Sequence, residues 1–325
     1  MKKMNQTYLI GIDHGYGNMK TANCCFPTGV VKSDTEPTFV SDLLVWNGTY
    51  YSIGVGHKEF KADKFNDEDY YVLTLAAIAR ELWRERVTEA DVYIAAGLPL
   101  TWVSEQKSDF KNYLLQNSEV VFTFREVEYR INIVGAEVYP QGFAAIVNNL
   151  PSFTGVTMLC DIGNGTMNLL RIVNKKPDAQ RMFTEKYGTH QCALLIREEM
   201  MKVHHASLDD AIITEILKKG TADIDGKYLE TVVKTAKQYT AGIFRRLREH
   251  EYDPKLMKLY VVGGGGCLIR NFADYDESRV TVNDDICATA KGYERMLEMQ
   301  LLRGGGRGLC GKSRQKIQPG TGKIF

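Results

Sequence analysis

Cys160–Leu170 reads CDIGNGTMNLL: an apolar run ends in an aspartate, breaks at two glycines one residue apart, and resumes as extended sequence. Gly11–Ala22, GIDHGYGNMKTA, has the same grammar. The first copy supplies Asp13, Gly15, Gly17, Asn18, Met19 and Lys20, and the second supplies Asp161, Gly163, Gly165, Thr166, Met167 and Asn168. Tyr16 and Asn164 fill the position between the glycines.

Glycines at alternate positions let backbone N–H groups converge, because no Cβ blocks close approach, and such a turn cradles phosphate oxygens. An aspartate ending the preceding strand cannot bind those oxygens directly, since like charges repel. Its useful role is to hold hydrated Mg²⁺ against them, which makes Asp13 and Asp161 candidate metal residues, acting through water. Rossmann and P-loop glycine motifs run from strand into helix. Here both turns run into alternating extended sequence, which predicts β-hairpins clasping phosphate. Either turn alone could be only a tight hairpin, as Gly and Asp are common turn residues. Two copies with matched spacing point to a duplicated domain, with one hairpin from each half facing a shared cleft.

A third glycine run, Val261–Arg270 (VVGGGGCLIR), joins a strand to a helix start. Backbone there can approach a ligand, and a helix N-terminus favours anions or polar rings. Gly263, Gly264, Gly265 and Gly266 are the candidates for the nucleoside, although such runs also serve helix–strand packing.

The remaining sequence reads as alternating strands and helices, an α/β chain. LLVWNGTYYSIG is a hairpin turning at Asn47-Gly48. DEDYYVLTLAAIARELWRERV is helical, beginning near Asp67 or Asp69. SEQKSDFKNYLLQN is a helix capped by Ser104, and QGFAAIVNNL a helix after Pro140. Pro151–Gly155 is a boundary after which the grammar restarts. HQCALLIREEMMKV, LDDAIITEILKKG and YLETVVKTAKQYTAGIFRRLREHE follow as helices, the second ending at Gly220. The last helix, DDICATAKGYERMLEMQLLR, has acidic residues at its start and arginine at its end, as the helix dipole favours.

The chain has 325 residues, 44% hydrophobic and 25% charged, which fits about two globular domains. A net charge of +1 argues against a dedicated nucleic-acid binder. Seven cysteines without zinc spacing read as reduced thiols of a cytoplasmic protein. No signal peptide and no apolar run long enough for a membrane span are legible, so no membrane partner is expected. Residues 304–325 lack acidic residues and are glycine-rich, a flexible basic tail.

With five motifs in order over about 290 residues, the sequence resembles the actin-like ATPase superfamily, which includes actin, Hsp70 and the sugar kinases. GIDHGYGNMK resembles the first phosphate loop, GAEVYPQGFAA (Gly135–Ala145) the first connecting motif and LCDIGNGTMNL the second phosphate loop. YVVGGGGCLIRN resembles the adenosine motif, and VNDDICATAKGYERM the second connecting helix. Within the superfamily it is most similar to the ParM/StbA plasmid-segregation actins, through Glu137–Phe143 and through Asn283, Ala288, Gly292 and Tyr293. The resemblance implies a two-lobed, ribonuclease H-like fold of duplicated domains around a nucleotide cleft. Residues 1–150 would form one lobe with 284–303 packing back on it, and 151–283 the other.

It further implies an ATPase (with ATP, or GTP, and Mg²⁺) that polymerises with itself and moves plasmid DNA. The near-neutral charge suggests that DNA is reached through a separate DNA-binding adaptor rather than by direct sequence-specific binding, as the family also implies. Glu137 and Asp161 would orient the attacking water as the catalytic pair, Asp13 would face Mg²⁺, and Lys20 the phosphates. The less favoured alternatives are Glu137 as a helix N-terminal charge and Lys20 as a solvated strand lysine. Lys234 and Lys237 are placed beside the adenine, although most charges on such a helix form its wet face. His14 reads as a loop residue turned to solvent or a partner, and His204-His205 as a helix terminus. The alternatives are a small-molecule, sugar-type kinase on the same fold, and a chaperone-type nucleotide switch. For the first no sugar-binding set is legible, and for the second no peptide-binding domain remains.

Overall fold

The computed structural model describes residues 1–56 and 68–303. The tail at 304–325 and Asp67 as a helix start lie outside them.

Among the described residues the first sheet has ten strands: β1 (Lys2–Met4), β2 (Thr7–His14), β3 (Asn18–Lys20), β4 (Cys25–Pro27), β5 (Val30–Ser33), β6 (Leu43–Trp46), β7 (Thr49–Ile53), β8 (Glu89–Leu98), β9 (Glu119–Phe124) and β10 (Val127–Pro140). The second has five: β11 (Val156–Ile162), β12 (Met167–Val173), β13 (Lys176–Glu185), β14 (Lys258–Val262) and β15 (Val280–Val282).

The duplication is visible in the strand pairing. The order β4-β3-β2-β8-β10 in the first sheet matches β13-β12-β11-β14-β15 in the second. In each, two antiparallel pairings precede two parallel ones. The centre of each set is an apolar strand: all eight residues of β2 are buried, as expected for a strand covered on both faces. The first sheet continues through β9, β6, β7 and β5, an extension with no counterpart in the second. There Asn47 (φ +52°) and Gly48 (φ +77°) make the turn between β6 and β7 that the sequence predicts.

Helix α1 (Glu68–Arg84) lays a nearly unbroken run of buried residues, Tyr70 to Ala79, against the first sheet. Helix α2 (Val103–Leu114) buries Phe110 and Leu114 on the same lobe. Trp102, not Ser104, holds its N-cap position, and no side chain caps it; Ser104 lies inside the first turn. The helix expected after Pro140 shrinks to α3 (Phe143–Ile146), followed by a 3-10 turn at Leu150–Ser152.

In the second lobe, α4 (Thr189–His204), α5 (Asp210–Lys219), α6 (Gly226–Glu249) and α7 (Gly266–Phe272) enclose a separate apolar core. α4 ends at His204, with His205 left-handed behind it, so the histidine pair is a helix terminus. Gly220 closes α5 at φ +82°. The last helix, α8 (Ala288–Arg303), returns to the first lobe, where Tyr293 and Leu297 join Leu9, Ala95 and Tyr139. Gly292 makes that approach possible: a Cβ there would stand 1.9 Å from the Ala144 carbonyl oxygen. Among the described residues no helix is long and apolar enough to cross a membrane.

Candidate functional site

The two Asp-x-Gly-x-Gly stretches occupy equivalent positions at the ends of their central strands. Asp13 pairs with Lys20 across β2–β3, and Asp161 pairs with Asn168 across β11–β12. In parallel α/β sheets ligands gather beyond the carboxyl ends of the strands, and both turns sit there. They line one cleft of ≈ 380 Å³ between the lobes. Asp13, Gly15, Tyr16, Gly17, Asn18 and Lys20 face it from the first lobe. Asp161, Gly163, Asn164, Gly165 and Thr166 face it from the second.

Each turn is braced from behind. Thr28 donates its hydroxyl to the Gly15 carbonyl (2.8 Å) and its amide to that of Gly17 (3.2 Å). The amides of Thr189 and His190, at the start of α4, donate to the carbonyls of Gly163 and Asn164. The turns nearly touch: a Cβ on Gly17 would lie 3.0 Å from Asn164 Cγ. Gly263 takes φ +87°, and a Cβ there would meet Asp161 Oδ1 at 2.5 Å, so the third glycine run is folded onto the second aspartate.

The carboxylates differ in their surroundings. Asp13 is engaged on both oxygens, by Lys20 Nζ at 3.1 Å and by Gln141 Nε2 at 3.2 Å. Burial works against the Lys20 ammonium, but Asp13, with help from Asp161, outweighs it and raises its pKa, so the lysine stays charged. Among the described residues no side chain or backbone amide donates a hydrogen bond to the Asp161 carboxylate. Burial, and then the neighbouring Asp13, push its pKa up to about 6, with Lys20 pulling the other way. A buried carboxylate without a donor is the chemistry that a divalent cation satisfies.

Several sequence-predicted residues are not brought to the cleft. Glu137 lies within β10 rather than at a helix end, and its carboxylate is held by Lys111 (2.7 Å) and Lys107 (3.7 Å) of α2. Because β10 runs on to Pro140, the first residue past the strand is Gln141, and this is the connecting-segment side chain in the cleft. Lys234 and Lys237 are exposed on α6, away from the cleft, and Lys237 lines a different groove. Gly263 and Gly264 line the cleft, whereas Gly265 and Gly266 pack behind it, Gly265 donating its amide to the Ile162 carbonyl. His14 is fully buried rather than turned outward, its Nε2 2.8 Å from Thr74 Oγ1 on α1.

Sequence reasoning missed the wall from α4, α5 and α7, where Arg197, Thr214, Leu217, Lys218 and Cys267 line the cleft. Arg197 is paired with Asp210 there. Nothing in their spacing singles them out; they follow only from the packing of these helices.

Residues 11–143 match the family model described as actin like proteins N terminal domain. No curated protein matches the chain in sequence. Among solved structures, the actin-like protein Alp7A aligns at TM-score 0.72 and 17% identity, covering 93% of this chain and 98% of its own. Bacillus thuringiensis ParM with ATP aligns at 0.67 and 12% identity, covering 92% and 100%. The Alp12 filament structure aligns at 0.63 and 13% identity, covering 91% and 99%. The chain thus has the actin-like two-lobed fold, in agreement with the resemblance read from its five ordered motifs.

Proposed function

On the premise that residues 11–143 are an actin-like N-terminal domain within an actin-like two-lobed chain, we propose an ATP-hydrolysing protein that assembles into filaments and moves plasmid DNA. The observation that carries this reading is the pair of matched hairpins closing on one cleft, with Asp13, Asp161 and Lys20 between them.

The residues present fit a magnesium nucleotide. The two glycine turns line the cleft from opposite sides and would cradle the phosphates, and Gly263-Gly264 would face the nucleoside. Asp13 and Asp161 would hold Mg²⁺ through its waters; when bound, the ion neutralises phosphate charge. Lys20 is already charged and adds a fixed cation beside the phosphates. Phosphoryl transfer needs charge stabilisation and an aligned water more than a strong base. Asp161 and Gln141, which both line the cleft, would align that water, Gln141 in the role that the sequence assigned to Glu137. The α4–α5 wall, with Thr214, Leu217 and Lys218, would take the base and ribose.

Assembly with itself and reach to DNA through a separate adaptor rest on the plasmid-segregation resemblance and on the filament-forming relative Alp12. The sugar-kinase alternative would need a substrate-binding set with a catalytic aspartate beside it, and the sequence singles out no such set. Sedimentation with ATP, with ADP and without nucleotide tests the reading. Pelleting that depends on nucleotide, and that Asp161→Ala abolishes or freezes, is the expected outcome; no pelleting at any concentration returns the kinase alternative.

A further inference from the structure

The register of the second sheet sets three polar side chains in one row. Asp161 on β11 stands opposite Asn168 on β12, and Asn168 stands opposite Thr184 on β13. Residues directly opposite in antiparallel strands project from the same face, so the row leads outward from the cleft carboxylate. The first sheet has the equivalent row Asp13, Lys20 and Cys25. There the middle residue is a cation bonded to its aspartate at 3.1 Å. In the second sheet the middle residue is a neutral amide, and it is bonded away from its aspartate.

A relay of two hydroxyls turns it that way. Thr184 Oγ1 donates to Asn168 Oδ1 at 2.8 Å, and Thr101 Oγ1 donates to Thr184 Oγ1 at 3.2 Å. Thr101 lies between β8 and α2 of the first lobe, so the second of these bonds joins the lobes. A hydroxyl carries one proton. With the Thr184 oxygen accepting from Thr101, its proton is committed to Asn168. The Asn168 carbonyl oxygen is thereby held toward Thr184, and the amide N–H groups are left for the opposite side.

That side is the cleft, which Asn168 lines although it is only 3% exposed. Among the described residues nothing accepts a hydrogen bond from its Nδ2, and that nitrogen is not sealed from solvent. A nearly buried amide donor calls for an acceptor, which a ligand of the cleft would bring. An attacking water must keep its lone pair free for phosphorus, so an N–H donor belongs on a phosphoryl oxygen, where negative charge has to be stabilised. A flipped amide would instead present its oxygen to the phosphates, and like partial charges repel.

We propose that Asn168 donates its amide to an oxygen of the transferred phosphoryl group, and that Thr184 and Thr101 are positioning residues that hold the amide in this sense only while the lobes stand within bonding distance. With the lobes farther apart, Thr101 is withdrawn, Thr184 is free to donate to water, and the amide is free to turn over. The inference rests on the nucleotide-hydrolysis reading above and adds to it a link from the first lobe to the phosphate end of the cleft.

The test is single-turnover hydrolysis by the full chain with Mg²⁺ and ATP or GTP, with nucleotide affinity measured in parallel. Thr184→Val keeps the branched shape that suits a strand and removes the donor; it should slow hydrolysis about tenfold with affinity unchanged. Thr184→Ser keeps the hydroxyl and should retain the rate. Asn168→Ala should slow hydrolysis about a hundredfold. Thr101→Val, which lies outside both sheets, should slow hydrolysis when made alone and add nothing to Thr184→Val, because both remove one coupling. Unchanged affinity in the threonine variants shows that their clefts are folded. An unchanged rate in Thr184→Val, a loss that serine does not repair, a loss through affinity alone, or additive losses for the two threonines overturns the relay and leaves the nucleotide reading standing. Absence of hydrolysis by the unaltered chain with either nucleotide overturns both.

Discussion

Asp161 is the residue on which the cleft turns, and the cost of burying its charge makes a pH-dependent prediction. Its pKa moves from an ordinary 3.8 to about 6 through burial and the charge of Asp13. Between those values the folded chain keeps a proton that the unfolded chain has lost. Its contribution is therefore fully present below the unfolded pKa and lost as pH rises through the folded one. The shift corresponds to about 3 kcal/mol. Asp161→Asn should therefore stabilise the nucleotide-free protein by about 2–3 kcal/mol at pH 7.5, with the gain shrinking toward pH 4, while turnover is lost. Urea denaturation across pH checks it, and a less stable variant at pH 7.5 would refute it. A second comparison separates the connecting-segment residues. Gln141→Ala should slow phosphate release about a hundredfold, whereas Glu137→Gln should leave turnover within about twofold and act on stability by releasing Lys111. The placement of Gln141 in the cleft and of Glu137 outside it shows what was legible. Asp13 and Asp161 could be read because their spacing repeats. Gln141 could not, because choosing it requires knowing that β10 ends at Pro140.

At the scale of elements, the hairpins and long helices were legible from periodicity and turn residues, Asn47-Gly48 and Gly220 among them. The segment after Pro140 was not: Phe143, Ala144, Ala145 and Ile146 carry helical propensity, but the chain is passing between lobes there and only one turn survives. Propensity is a local signal, and tertiary connection overrode it. The α8 contact yields a prediction of unusual sign. Gly→Ala inside a helix ordinarily stabilises by about 1 kcal/mol. At Gly292 the added methyl would run into the Ala144 backbone, 1.9 Å from its carbonyl oxygen. Gly292→Ala should therefore destabilise by about 1–3 kcal/mol, seen as a lower urea midpoint with an unchanged slope.

For the whole molecule, the repeat in the sequence corresponds to a repeat in strand order, which is why the two-lobed architecture was legible and the α4–α5 wall was not. A ligand gripped by both lobes should stabilise them together. Mg²⁺ with a non-hydrolysable ATP analogue at a hundred times its Kd should add about 2.7 kcal/mol to unfolding. Asp13→Ala should remove most of that gain, which calorimetry measures directly.

The short helix α3 has a consequence for motion. One side of it, through Ala144, meets α8 and the first lobe; the other, through Ala145 and Ile146, packs with Leu159, Leu170 and Val262 of the second sheet. The chain passes between lobes beside it, after Gln141 and again between Val282 and Ala288. Both crossings lie beside α3, so rotation of the lobes about it is the motion we expect, opening or closing the approach of Gly17 to Asn164. One distance measured across the mouth of the cleft would then report the state of the entire molecule.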